Sequence, residues 1–161
     1  NSNLEALQAQ QPPQPEVVEY GPGLWHCIHP DFIEAQLDAS LERLGLAQLD
    51  VLLLHNPEYF LADAAKRGDA DASARFEDRL RRAFAKLEAL VAEGRIGWYG
   101  VSSNGFVEPP SSPISTSLRR MLALAEEVGG AEHHFGVAQM PMNLFELGAV
   151  LASRPTATST A

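Results

Sequence analysis

His55, Ser102, Ser103, Asn104 and Gln139 are the residues of this 161-residue chain whose types and placement suit chemistry on a small molecule. His55 closes the apolar run Leu49-Asp50-Val51-Leu52-Leu53-Leu54, with Asn56-Pro57 directly behind it. Ser102-Ser103-Asn104-Gly105 follows the run Ile96–Val101, and Gln139 lies near the end of FGVAQMP, residues 135–141. A neutral imidazole can donate a hydrogen bond to a carbonyl oxygen and stabilise the charge that develops there. Hydroxyl and amide side chains match a primary carboxamide, which has both a donor and an acceptor to satisfy. Taken singly, each is an ordinary polar residue at a strand end, and His55 reads equally well as a core histidine bonded to a backbone carbonyl. Taken together and in order, they put three suitable groups at three strand ends.

The elements that must position them are legible from apolar spacing. A short apolar run without alternation reads as a strand buried on both faces, as in a parallel sheet covered by helices. Pro57 ends the pairing of that strand because it has no N–H to donate. Phe32, Ile33, Leu37, Leu41 and Leu44 form a stripe that predicts a helix from about Pro30, favoured at a first helical position, to Leu44, with Gly45 as its stop. Residues 58–68 read as a long loop opened by Tyr59-Phe60. A second helix, about Asp71 to Glu93, carries Phe76, Leu80, Phe84, Leu87 and Val91 inward, with Glu77, Asp78, Arg79, Arg81 and Arg82 on a solvated face. Ile96–Val101 is the next strand, with Trp98 and Tyr99 as packing residues. Ser112-Pro113 predicts the start of a helix running to about Val128. Residues 135–141 form a third strand, and Phe145 to Leu151 a last helical stretch. Val17 to Tyr20 is a weaker strand, then a Gly21-Pro22-Gly23 turn and a loop over residues 25–30. This alternation implies a parallel α/β sheet with right-handed crossovers. All carboxyl ends then lie on one side, where such folds place their chemistry. An open doubly wound sheet and a barrel segment both satisfy the pattern.

Composition narrows the classes of function. A net charge of −9 and a pI near 4.9 exclude binding driven by nucleic-acid phosphates or by anionic membrane lipid. The lone cysteine, Cys27, allows no intrachain disulfide and suits the cytoplasm or another reducing compartment. No apolar run approaches the roughly 20 residues of a membrane helix. Residues 1–16, rich in Gln and Pro, read as a flexible lead-in, 17–152 as the folding unit and 153–161 as a low-complexity tail. The amino end has no secretory pattern and no initiating methionine, so the start of the protein is expected upstream. His26, Cys27, His29, His133 and His134 match no standard zinc spacing, so no metal site is expected.

The series SLERLGL, LDVLLLHNP, EGRIGWYGVSS and FGVAQMPMN, between Ser40 and Asn143, resembles the aldo-keto reductases. The resemblance implies a (β/α)8 TIM-type barrel, of which this chain holds three to four strands. It implies an oxidoreductase that reduces aldehydes and ketones with NADP(H), held without a Rossmann motif, and no GxGxxG occurs here. By that resemblance His55 is the catalytic histidine that orients the substrate carbonyl, and Ser102 and Gln139 contact the nicotinamide carboxamide. The family's next asparagine corresponds to Ser103 or to Asn104, and Asn56 stands where a bulky aromatic is common. The family's catalytic Asp, Tyr and Lys belong to earlier elements. Here Tyr20 is followed by Gly-Pro-Gly, and no lysine precedes Lys66. The chain alone is therefore expected not to be a competent enzyme, and the alternative is a non-catalytic, barrel-derived binding or regulatory subunit. A barrel sector of eight-strand ancestry also leaves open sheet edges, which leaves three alternatives: self-association through those edges, pairing with the rest of a barrel, or a fold of marginal stability.

Overall fold

A computed structural model describes residues 15–143. The expected lead-in, apart from Pro15 and Glu16, the last helical stretch over residues 145–151 and the tail over residues 153–161 lie outside the described residues. β1 (Val18–Gly21) and β2 (Leu24–His26) form an antiparallel hairpin. α1 (Pro30–Leu44), β3 (Leu49–His55), α2 (Tyr59–Lys66) and α3 (Ala72–Ala92) follow. Then come β4 (Ile96–Ser102), a 3-10 turn (Asn104–Val107), α4 (Leu118–Gly129) and β5 (Phe135–Gln139). β3, β4 and β5 make one parallel sheet in that order.

The main core lies between one face of this sheet and α3 and α4. Phe84 of α3 meets Tyr99 of β4 at 5.5 Å and Phe135 of β5 at 5.6 Å between ring centroids, and Tyr99 meets Phe135 at 5.7 Å. Tilted and edge-on ring contacts of this kind add to the burial of the rings themselves. Leu80, Leu87 and Leu90 of α3 and Met121 and Leu124 of α4 complete the layer. α1 lies beside α3, with Glu34 pairing to Lys86 at 2.8 Å and to Arg95 at 3.3 Å. His29 caps α1 through Nδ1, and Gly45 ends it at a φ of +65°, a left-handed conformation that costs glycine little. Ile33 and Leu37 are buried, whereas Leu44, the last residue of the predicted stripe, is exposed.

Several sequence expectations change in three dimensions. β3 is not buried on both faces: Val51 is 39% exposed, and Trp98 beside it on β4 is 52% exposed rather than packed. The reason is layering, since among the described residues the helices cover one face of the sheet. Residues 59–66 are helical, not a loop. Eight residues make a marginal helix in isolation, and α2 is held by burial of Phe60, which stacks on Phe76 and lies under the Arg79 guanidinium at 4.8 Å. Arg79 is accordingly no member of a solvated face; it is 6% exposed and donates to the Glu16 carbonyl at 2.8 Å. α4 begins at Leu118, where the Ser117 hydroxyl accepts from the Arg120 N–H, not at Ser112-Pro113. The segment before it instead folds back, with Thr116 N–H donating to the Gly105 carbonyl at 3.0 Å. Trp25 and His26, expected in the loop over residues 25–30, pair with β1 as part of β2. No described helix is long and apolar enough to cross a membrane.

β4 and β5 approach closely at Gly100. A Cβ added there would stand 1.9 Å from the Val137 carbonyl oxygen, so only glycine permits this approach. Just beside it the register runs from Tyr99 opposite Phe135 to Gly100 opposite Val137, leaving Gly136 as the extra residue of a bulge. Gly100→Ala is expected to lower unfolding free energy by about 1–3 kcal/mol, as overpacking does. Urea denaturation followed by circular dichroism measures that loss, and an unchanged midpoint would mean the strands separate more easily than this geometry implies.

Candidate active site

Parallel pairing sets His55 opposite Ser102, and Ser102 opposite Gln139. The three residues form one row across the carboxyl edge of the sheet. Side chains alternate along a strand, so residues paired in register share a face. This is the face away from the helices, the one that carries Val51 and Trp98. His55 and Gln139 are exposed and Ser102 is half-buried.

The loops beyond this row are joined by buried polar groups. Asn56 donates its N–H to the Ser102 carbonyl at 2.7 Å and takes a φ of +48°. Asparagine is one of the few residues that enter this left-handed region readily. Its side chain does not stand as an open wall after His55; it is buried, donates through Nδ2 to the Tyr59 hydroxyl at 3.0 Å and accepts from Asn104 Nδ2 at 3.4 Å. Glu58 is fully buried, and its Oε1 accepts the N–H groups of Asn104 at 2.9 Å and Gly105 at 3.3 Å. Ser103 is 1% exposed, with its hydroxyl accepting from Gly105 N–H at 3.0 Å and bonded to the Thr116 hydroxyl at 3.2 Å. Of the Ser103-Asn104 pair, Asn104 is the exposed member. Sequence reading had no signal for Glu58. An acidic residue behind a proline looks like ordinary loop surface, and only the packing of two loops buries it.

Behind the row lie aromatic and imidazole groups. Tyr20 stacks on Tyr59 at 4.1 Å, and Lys66 Nζ donates to the Tyr20 carbonyl at 2.8 Å. His26 stands edge-on to Tyr59 and contacts the His55 carbonyl through Nε2 at 2.6 Å. A carbonyl only accepts, so Nε2 carries the proton. Burial pushes the His26 imidazolium down to a pKa of about 4 against the pull of that carbonyl, with Arg79 and His55 adding to the lowering. A cavity of about 260 Å³, lined by Trp25, His26, Phe32, Ile33, Leu53 and His55 among others, adjoins this region. The remaining histidines have local duties. His29 caps α1, His133 accepts from the Phe135 N–H, and His134 pairs with Glu88 at 2.8 Å. Among the described residues no group of three His, Cys, Asp or Glu side chains is placed to hold a metal ion.

These features define an α/β protein whose polar side chains gather at the carboxyl edge of a parallel sheet. The aldo/keto reductase family model matches residues 22–109, more than half of the chain, and the chain belongs to that family. The matched stretch takes in His55, Ser102, Ser103 and Asn104, while Gln139 lies beyond it. Family membership points to oxidoreductase-type chemistry. No curated protein matches the chain.

The state of His26 has a measurable consequence. Its pKa is about 4 in the fold and near 6.5 when unfolded, so the neutral form is common to both states only above about pH 6.5. As pH falls from 6.5 toward 4 the unfolded chain binds a proton that the folded chain does not, and stability drops by up to about 3 kcal/mol. Denaturant midpoints of wild type and His26→Gln compared across that window are expected to converge as pH falls. A constant difference would show that His26 titrates normally.

Proposed function

We propose that this chain forms the nicotinamide-facing sector of a (β/α)8 barrel oxidoreductase that interconverts aldehydes or ketones with alcohols using NADP(H). The observation that carries this reading is the single row of His55, Ser102 and Gln139 along the carboxyl edge of three parallel strands. A parallel sheet covered by helices on one side and open on the other suits a barrel sector, whose open face would be the interior.

The residues present fit a carboxamide. Ser102 offers a hydroxyl and Gln139 an amide, which between them supply donors and acceptors, and exposed Asn104 adds a second amide at the same edge. NADP(H), when bound, supplies the hydride. His55 lies at the end of the row where its ring can donate to a substrate carbonyl oxygen and hold it in one orientation. The His26 N–H bonded to the His55 carbonyl steadies the backbone that carries that imidazole. Ser103, engaged with Gly105 and Thr116, shapes the loop that presents its two neighbours. The cavity beside His55 has the size and apolar lining for a small carbonyl compound.

A second reading, a barrel-derived binding or regulatory subunit, is favoured by the exposure of Trp98 and Val51 on the same sheet face. Such a face invites another protein segment as readily as the rest of a barrel, and among the described residues the outer edges of β3 and β5 pair with no further strand, so they offer backbone groups to it.

Titration of NADPH fluorescence against the purified chain separates the two. The oxidoreductase reading expects enhanced emission, affinity lowered about tenfold in Gln139→Ala, and little change in His55→Ala. Absence of any NADPH signal favours the binding-subunit reading.

A further inference from the structure

We propose that Glu58 is a positioning residue for the site: its carboxylate holds Asn104 in place beside Ser102, which the strand ladder already sets opposite His55. The inference rests on the cofactor reading above and deepens it. The site lies at two strand ends, β3 with His55 and β4 with Ser102, and in the loops that follow them, the second of which carries Asn104. The backbone ladder runs one bond past the row, from Asn56 N–H to the Ser102 carbonyl and from Ser103 N–H to the Gln139 carbonyl, and from there on side chains tie the loops together. Glu58, at the foot of α2, reaches across to the second loop and takes the N–H groups of Asn104 and Gly105 on one oxygen. Those amides open the 3-10 turn, where backbone N–H groups have no partner within the turn. Asn56 and Asn104 add a second bridge between the same loops, amide to amide.

The choice of a carboxylate is informative. Glu58 is fully buried, and its other oxygen, Oε2, is buried with no hydrogen-bond partner among the described residues. A half-satisfied buried carboxylate is costly, and an apolar side chain would fill the same space more cheaply. What the carboxylate supplies is a strong, directional acceptor for two adjacent amides, which fixes a loop instead of merely covering it. Loosening that loop should free Asn104 to swing and spoil its alignment with Ser102 and Gln139. His55 should be little affected, because its backbone remains in the β3–β4 ladder and bonded to His26.

The test is NADPH titration by fluorescence at a temperature well below unfolding, for wild type, Gln139→Ala, Glu58→Gln and Glu58→Leu, with the melting temperature of each. Gln keeps one acceptor oxygen and Leu keeps the volume alone, so the dissociation constant is expected to rise about threefold and about tenfold respectively. Exchange of the Asn104 and Gly105 amides with deuterium should quicken in the same order. If wild type binds, Gln139→Ala weakens binding and folded Glu58→Gln binds as wild type does, the positioning role is wrong and the cofactor reading stands. A drop in melting temperature with an unchanged dissociation constant marks Glu58 as merely structural and overturns the proposal as well. If wild type itself does not bind NADPH, the cofactor reading fails and this inference falls with it. Should Glu58→Leu not fold, the isosteric Glu58→Gln decides the matter alone.

Discussion

Everything at the candidate site depends on the register of the parallel ladder. His55, Ser102 and Gln139 are separated by dozens of residues in the chain, and what aligns them is the pairing of β3 with β4 and β4 with β5. Side chains alternate with period two, so a slip of one residue in either pair would turn one of the three toward the helices. Gly100 and the bulge at Gly136 hold the β4–β5 register where it would be easiest to lose. The missing Cβ at Gly100 lets the Val137 carbonyl come near, and the extra residue brings Gln139 opposite Ser102 instead of leaving it out of line.

The sheet is asymmetric in what it faces. On one side the aromatic trio Phe84, Tyr99 and Phe135 locks α3 to β4 and β5 in a dry layer. The other side grades along the strands, from Val51 and Trp98 mid-strand to His55, Ser102 and Gln139 at the carboxyl edge. An apolar floor with a polar rim is in keeping with the barrel sector proposed for this chain, whose chemistry would sit at the carboxyl ends of the strands.

Polar groups buried at the loop junction run against the economics of a simple core. Asn56 holds a left-handed backbone conformation, Glu58 carries an unpartnered carboxylate oxygen, and Ser103 spends its hydroxyl on neighbouring loop atoms. Networks of this kind rigidify where they are satisfied and cost stability where they are not. Backbone strain and imperfect satisfaction tend to collect at sites, because there geometry matters more than the last increment of stability. Their concentration in the two loops that follow His55 and Ser102 is therefore in keeping with the site reading.

The sequence by itself determined the elements whose signals are local. The apolar stripe and Gly45 delimited α1, the run after Leu49 marked β3, and the spacing of Phe76 to Leu87 gave α3 its inward face. It also carried the family motifs, because these are short strings of neighbouring residues, one at the end of α1 and the others running through β3, β4 and β5. Tertiary structure decided what depends on contact between distant segments. Tyr59–Lys66 became a helix because Phe60 is buried against Phe76 and Arg79. Arg79 left the solvated face because Glu16 meets it from far upstream. Of Ser103 and Asn104, adjacent and equally polar, the first was drawn inward by Thr116 and the second left exposed. Burial, partner and register are properties of pairs of residues, and a single chain read in order shows only one member of each pair at a time.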